Sequence, residues 1–216
     1  MSLDFFFGPA RLSALASGAL HWPEERLLCV SDLHFGKSER LARRGGSLLP
    51  PYETRASLDR LDLDLARTAA KKVICLGDSF DDLAAAEGME ENNRLWLARL
   101  MAGREWIWIA GNHDPSPLDL GGSHRKEILH EGLVFRHEGG GAGAEVSGHY
   151  HPKASLAGRG AMPCFLIGKS RLILPAYGTY TGGMRADDAV FDPLVGPGAR
   201  AILTGPKPLM IPRPTR

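Results

Sequence analysis

Arg26-Leu27-Leu28-Cys29-Val30-Ser31-Asp32-Leu33-His34 is a short apolar run that stops at two metal-capable side chains. The arrangement recurs twice. Lys72-Val73-Ile74-Cys75-Leu76 stops at Gly77-Asp78, and Glu105-Trp106-Ile107-Trp108-Ile109-Ala110 stops at Gly111-Asn112-His113-Asp114. Apolar runs this short, bounded by polar residues, read as buried strands. Between them, Pro51 to Ala70 carries Leu58, Leu61 and Leu65 at helical spacing, with Thr54 and Ser57 as candidate caps. Asp82 to Met101 carries Leu83, Leu95, Leu97 and Leu100, with Gly88 as a break. Strand–helix–strand–helix–strand order predicts an α/β sheet with parallel neighbours. Open α/β sheets bind ligands beyond the carboxyl ends of their strands, where the three polar clusters fall.

The surrounding sequence sets the frame. At 216 residues the chain reads as one domain, 1–216. With 44% hydrophobic and 24% charged residues it has enough apolar surface for a sizeable core, which argues against a largely disordered chain. Lys+Arg 26 against Asp+Glu 25 leaves a net charge of +1, so bulk charge does not mark a nucleic-acid binder, although a local basic patch remains compatible with it. No apolar run reaches transmembrane length, which predicts no membrane partner. Met1 to Ala10 has no Lys or Arg before Phe5-Phe6-Phe7 and does not read as a secretory signal. Cys29, Cys75 and Cys164 are odd in number and widely spaced, which suits reduced core residues in a cytoplasmic protein. After Pro115, short apolar pieces at 132–137, 144–147, 164–167 and 171–174 predict a second, mostly β layer. Gly139 to Gly143 reads as a flexible loop, lacking the ending of a phosphate loop. The proline-rich tail from Gly205 reads as extended over the surface. Trp22, Trp96, Trp106 and Trp108 read as core or subunit interface, and His21, His124 and His130 belong to no motif.

Two later clusters complete the polar set: His137, at the end of a predicted strand, and Gly148-His149-Tyr150-His151. If the backbone is locally extended, residues two apart share a face, so Asp32 aims with His34 and His149 with His151. The set is imidazole, carboxylate and one amide, without thiolate, which suits Mn²⁺, Fe or Zn²⁺ in a reactive site better than a structural zinc knot. Two metals about 4 Å apart need a shared ligand, and Asp78 is the natural bridge. Such ions attract phosphate and bring a bound water's pKa down toward ~7, giving a nucleophile at neutral pH.

In this order the clusters resemble the calcineurin-like metallophosphoesterase superfamily: Asp-x-His, Gly-Asp-x-x-Asp/His, Gly-Asn-His-Asp/Glu, a further His, then Gly-His-x-His, over residues 26 to 151. The resemblance implies a four-layer α/β/β/α sandwich with two divalent metals at its sheet edge. Asp32, His34, Asp78 and His151 would hold one ion, and Asp78, Asn112, His137 and His149 the other. His113 would stand off the metals beside the leaving oxygen as acid or transition-state stabiliser, oriented by Asp114. A narrower resemblance reaches across nearly the whole chain. Ser31 to Ser38, Leu41 to Gly45, Leu49 to Thr54, Leu76 to Phe80, Gly148 to Lys153 and Pro175 to Gly183 are similar to the bacterial DNA-ligase-associated metallophosphoesterases, described as DNA-damage-response endonucleases. That implies phosphodiester hydrolysis in DNA, Mn²⁺ ahead of Zn²⁺ or Fe, and an ATP-dependent DNA ligase, a helicase and an exonuclease as associates. Asp81 departs from the nuclease-like pattern, where His is frequent, and is compatible with orienting a ligand from behind.

Substrate contacts are sought outside the ligand set. Lys37, Arg40, Arg43 and Arg44 follow the Asp-x-His closely and are candidates to grip a DNA backbone, as is Lys153 beside the last motif. Tyr150, Tyr177 and Tyr180 are candidates to stack on bases. Two other readings stay open: hydrolysis of a small phosphodiester such as a cyclic nucleotide, favoured by the near-neutral charge, and a non-catalytic scaffold within a repair complex.

Overall fold

A computed structural model describes residues 1–46, 49–114, 120–156 and 160–215. The first sheet contains β1 (Ser2–Phe7), β2 (Ala10–Leu15), β3 (Leu20–Trp22), β4 (Leu27–Val30), β5 (Lys72–Leu76), β6 (Glu105–Ile109) and β7 (Ser123–Arg125), side by side in that order. β4 to β7 run parallel, as the alternation with helices requires. Leu27 pairs with Lys72 and Lys72 with Glu105, so the three central strands end level. Their unbroken apolar runs follow from burial on both faces: Leu27, Cys29, Ile74, Leu76, Ile107 and Ile109 enter one core, while Leu28, Val30, Val73, Cys75, Trp106 and Trp108 enter another.

The second core lies under helices α2 (Glu53–Thr68), α3 (Leu83–Glu87) and α4 (Glu91–Met101), with α1 (Lys37–Arg43) set against α2 and α3. The expected helices form, with the break at Gly88 where the second was expected to divide. The candidate caps serve other ends. Tyr52 occupies the N-cap of α2 with no side-chain bond, Thr54 accepts from the Gly36 amide at 3.0 Å, and the Ser57 hydroxyl lies 3.4 Å from that of Thr179.

The second sheet comprises β8 (Glu127–His130), β9 (Leu133–Arg136), β10 (Ala144–Ser147), β11 (Lys153–Ala154), β12 (Met162–Ile167), β13 (Arg171–Ile173), β14 (Arg200–Leu203) and β15 (Leu209–Pro212). Its order is β15-β14-β12-β13-β10-β9-β8, with β11 on β12. Phe135, Val146, Phe165, Leu172 and Ile202 face the first sheet; Cys164, Leu166, Ile173 and Leu203 face outward under Phe191 and Val195 of a 3-10 turn and the short helix α5 (Asp192–Val195). Helices, sheet, sheet and short helix make the four-layer α/β/β/α sandwich. The tail is extended at the surface, and its Leu209–Pro212 forms an edge strand antiparallel to β14. Strands β1 to β3 were not anticipated, although Gly8-Pro9 and Ser17-Gly18 punctuate them as hairpin turns would. All three cysteines are free and buried. Among the described residues, no helix is long and apolar enough to cross a membrane.

Candidate metal centre and active site

Register brings the polar clusters together. β4, β5 and β6 end level, so Asp32, Asp78 and Asn112 emerge at one edge of the first sheet. In the second sheet Phe135 pairs with Val146 and Ser147 with Ile173, so His137, His149 and the segment after Pro175 emerge together. The Gly148 amide donates to the His137 carbonyl at 2.9 Å and the His149 amide to the Asp32 carboxylate at 3.0 Å, joining the two edges.

The backbone at these candidate ligands is not extended. Asp32, His34, Asp78, His149 and His151 have φ of 53°, 46°, 46°, 71° and 46°. Their shared aim therefore comes from left-handed residues one apart, not from a strand's pleat. Asp and His tolerate this region better than most residues, but each such position still costs about 1–3 kcal/mol. Backbone bonds hold the loops in place: His34 to the Asp78 carbonyl at 2.9 Å and Phe35 to that of Ser79 at 2.9 Å. Gly77 combines φ 71° with a position where a Cβ would come within 2.6 Å of the His137 ring, so any side chain there displaces that imidazole.

Besides a cluster of His34, Asp81 and His113, which shares His34, two donor groups result. In one, Asp32, His34 and His151 converge, with Asp32 Oδ1 3.1 Å from His151 Nε2. Asp32 Oδ1, His34 Nε2 and His151 Nε2 are buried without a hydrogen-bond partner among the described residues. In the other, Asp78, His137 and His149 converge, and Asn112 joins them. Asn112 Oδ1 lies 3.0 Å from His137 Nε2 and 3.1 Å from His149 Nδ1, and those two nitrogens are 3.1 Å apart. His137 Nδ1 meets the Leu76 carbonyl at 2.8 Å, which fixes that nitrogen as donor and turns the Nε2 lone pair inward. His137 Nδ1 also lies 3.9 Å from Asp32 Oδ1, linking the groups.

The electrostatics match. Burial opposes charge on Asp78, yet His137 and the His113 amide hold its carboxyl well below the usual range. Burial likewise opposes charge on Asp32, and His151 and His137 bring it below its ordinary value. Burial disfavours a charged His137, but Asp78 and Asp32 raise it to about 9. His34 is lowered, chiefly by burial. Lone pairs, negative charge and orphaned donors converging in one buried place are what a divalent cation satisfies.

His113 stands beside this centre. Its Nδ1 meets the Asp81 carbonyl at 2.8 Å, its amide donates to Asp78 Oδ1 at 2.8 Å, and its Nε2 lies 4.0 Å from Asp78 Oδ2. Asp114 acts on His113 through the backbone. Its carboxylate does not grip the imidazole but accepts from the backbone amides of Ser79, Phe80 and Gly111 at 2.7, 3.2 and 3.2 Å. Asp114 thus ties the turn that carries His113 to the loop that carries Asp78. Burial, with Asp78 nearby, raises its carboxyl to about 6.

The candidate substrate contacts are drawn into other bonds. Arg43 meets Asp82 at 2.8 and 3.0 Å, Lys37 lies 3.7 Å from Asp81, and Arg40 pairs with Asp81. Lys153 donates to the Thr181 carbonyl at 3.1 Å. Arg44 is exposed at the end of α1. Tyr177 is fully buried and hydrogen-bonds Asp64 at 3.0 Å, so it packs and does not stack on bases. Tyr150 lies edge-on to His149 and Phe191, while Tyr180 is exposed. Glu145, which no motif marked, is wholly buried. It accepts from the Gly140 and Gly141 amides and from Arg171, pinning the glycine-rich loop that was expected to be free.

Paired sheets with carboxylates, imidazoles and one amide at their common edge define a metal-dependent phosphoesterase. The chain belongs to the calcineurin-like phosphoesterase family, whose sequence model matches residues 25–169. Among solved structures it is similar to Pseudomonas putida nuclease MPE, at 30% identity and a TM-score of 0.78, covering 97% of this chain and 100% of that one. The comparison with curated proteins finds no match. The protein is a hydrolase of phosphoester bonds with residues fit for a dinuclear metal centre.

Proposed function

We propose that this enzyme hydrolyses phosphodiester bonds of DNA with two divalent ions, Mn²⁺ foremost. The observation that carries the reading is the pair of buried donor groups with His113 beside them, joined to full-length likeness to a nuclease. Asp32, His34 and His151 would hold one ion and Asp78, Asn112, His137 and His149 the other, with Asp78 as the shared ligand. Ions bound there supply an activated water at neutral pH and offset the charge that grows on the phosphate. The protein supplies the rest. His113, with Nδ1 committed to the Asp81 carbonyl, presents Nε2 to donate a proton to the leaving oxygen. Asp114 fixes the turn that presents it. Exposed Arg44 and Tyr180 are available to a strand lying across the edge, and Lys37 and Arg40 flank it. The proposal includes a cytoplasmic setting, supported by three free buried cysteines, and a ligase-associated repair role with the ligase, helicase and exonuclease as associates.

A small phosphodiester is the competing substrate, favoured by the net charge of +1 and by the pairing of Arg40 and Arg43 with Asp81 and Asp82. Metal-stripped protein is assayed on bis-p-nitrophenyl phosphate, p-nitrophenyl phosphate, and single-stranded and duplex DNA, with Mn²⁺ restored. Metal-dependent cleavage of diester and DNA, lost in Asp78→Asn, is the expected result, with His113→Ala impaired most on the poorer leaving group. DNA binding weakens steeply with salt if the backbone is gripped, whereas a small ligand responds little. Diester turnover with intact DNA transfers the reading to a small substrate, and a protein with two ions but no turnover of any ester favours a scaffold.

A further inference from the structure

Asp81 stands behind the ligands, and no spacing argument gave it a partner. Its carboxylate is fully buried, an expensive place for a charge. Lys37 and Arg40 compensate it from one side. On the other side Asp81 Oδ1 lies 2.8 Å from His34 Nδ1. An imidazole has two nitrogens, and a proton held on one leaves the lone pair on the other. With Nδ1 facing a carboxylate, His34 turns Nε2 and its lone pair toward Asp32 and His151; the His34 and His151 rings meet edge-on at 5.3 Å. A carboxylate behind a metal-bound imidazole fixes the ring and raises the basicity of the ligating nitrogen. Asp81 also reaches a second histidine, because its main-chain carbonyl takes His113 Nδ1 at 2.8 Å. Substitution of the side chain removes the first hold and leaves the second.

Resting on the two-metal reading above, we propose that Asp81 is a positioning residue for the ion at Asp32, His34 and His151. Its carboxylate selects the His34 tautomer and the ring orientation that ligation needs. The ion at Asp78, Asn112, His137 and His149 gains nothing from it, since His137 has its own anchor in the Leu76 carbonyl. Asp81 is therefore a selective determinant of one ion in the pair.

The test is equilibrium dialysis of Mn²⁺ against wild type and Asp81→Ala, without substrate. In the variant one ion should bind about 10–100-fold more weakly, while the other stays within about 2-fold. Asp81→Asn keeps an oxygen for the Nδ1 proton, so it should lose less, and it serves if the alanine variant does not fold. In Zn²⁺-loaded protein with ¹⁵N-labelled histidine, the His34 Nδ1–H signal should be present in wild type and lost in Asp81→Ala. A variant that keeps both affinities, or loses both ions equally, overturns the proposal, and so does a wild type that binds no second ion. Selective loss of one ion in a protein that leaves DNA intact sustains it and sinks only the DNA substrate.

Discussion

Gly178→Ala should cripple the enzyme although residue 178 ligates nothing. The segment from Pro175 lies backbone to backbone along the Asp-x-His loop: the Tyr177 amide donates to the Ser31 carbonyl at 2.8 Å and the Gly178 amide to that of Asp32 at 3.1 Å. The segment cannot retreat, because Tyr177 is buried with its hydroxyl on Asp64 and its carbonyl on Arg60 at 2.6 Å. A Cβ at Gly178 would overlap the Leu33 carbonyl oxygen and sit 2.7 Å from the Leu33 carbonyl carbon and 3.0 Å from the Asp32 oxygen. Non-bonded carbons settle at about 3.5–4.0 Å, so the Leu33 peptide must move by roughly 1 Å, carrying Asp32 and His34 with it. A displacement of that size at reacting groups costs about 10²-fold in rate, and overpacking costs about 1–3 kcal/mol of stability. Mn²⁺-dependent turnover of bis-p-nitrophenyl phosphate should fall by about two orders of magnitude, while the melting temperature falls only by several degrees. Gly182→Ala is the control, because a Cβ there meets nothing within 4 Å. Gly178→Ala turning over within 3-fold of wild type would refute the account of the clamp.

Three further outcomes follow from buried groups. Glu145→Ala strands Arg171, whose guanidinium lies 2.6 Å from the carboxylate, and should cost about 3–5 kcal/mol in urea unfolding; an unchanged midpoint rules out the hub. Tyr177→Phe forfeits the bond to Asp64 and should cost about 1–3 kcal/mol with DNA affinity unaltered, whereas weaker DNA binding at full stability would restore base stacking. Asp78 and Asp32 raise the metal-free His137 to about 9 against burial, so it carries a proton at pH 7.5 that a metal must expel. Mn²⁺ titration in weak buffer at pH 7.5 should release protons, and none should appear above about pH 10. In the metal-free protein the folded pKa lies above the ordinary 6.5, so that contribution to stability is complete below about 6.5 and is lost as pH rises through about 9. Proton-free loading at pH 7.5 contradicts the charge assignment.

The three central strands and the residue types of the candidate centre were legible because both are local. Strand ends hold polar residues, and carboxylate, imidazole and amide declare metal chemistry one by one. Partners across the fold are not local. Nothing in the sequence connects Asp81 with His34, Tyr177 with Asp64, or Lys153 with the Thr181 carbonyl, because each bond depends on which loop the sheets bring alongside. The cations after the Asp-x-His read as free for DNA, yet Asp81 and Asp82, forty residues on, return to pair with Arg40 and Arg43. The first three strands escaped for a different reason. They are short and join the central sheet as antiparallel neighbours, outside the strand–helix rhythm, and Phe6 of β1 is 73% exposed, which blurs the alternation.

The spacing of Asp-x-His and His-x-His acquires a different physical basis from strand alternation. Two left-handed residues separated by one send both polar side chains to the same side and throw the middle residue to the other. That middle residue then decides where the loop is moored. Leu33 is 1% exposed and belongs to the core under the helices, with Phe35 and Leu58. Tyr150 packs against the outer core of the second sheet, beside Phe191. Each pair of candidate ligands thus rides on a side chain packed against a different core, and burial of Leu33 helps to offset the unfavourable backbone on either side of it. A polar residue at 33 would release the loop from its core while every candidate ligand kept its identity.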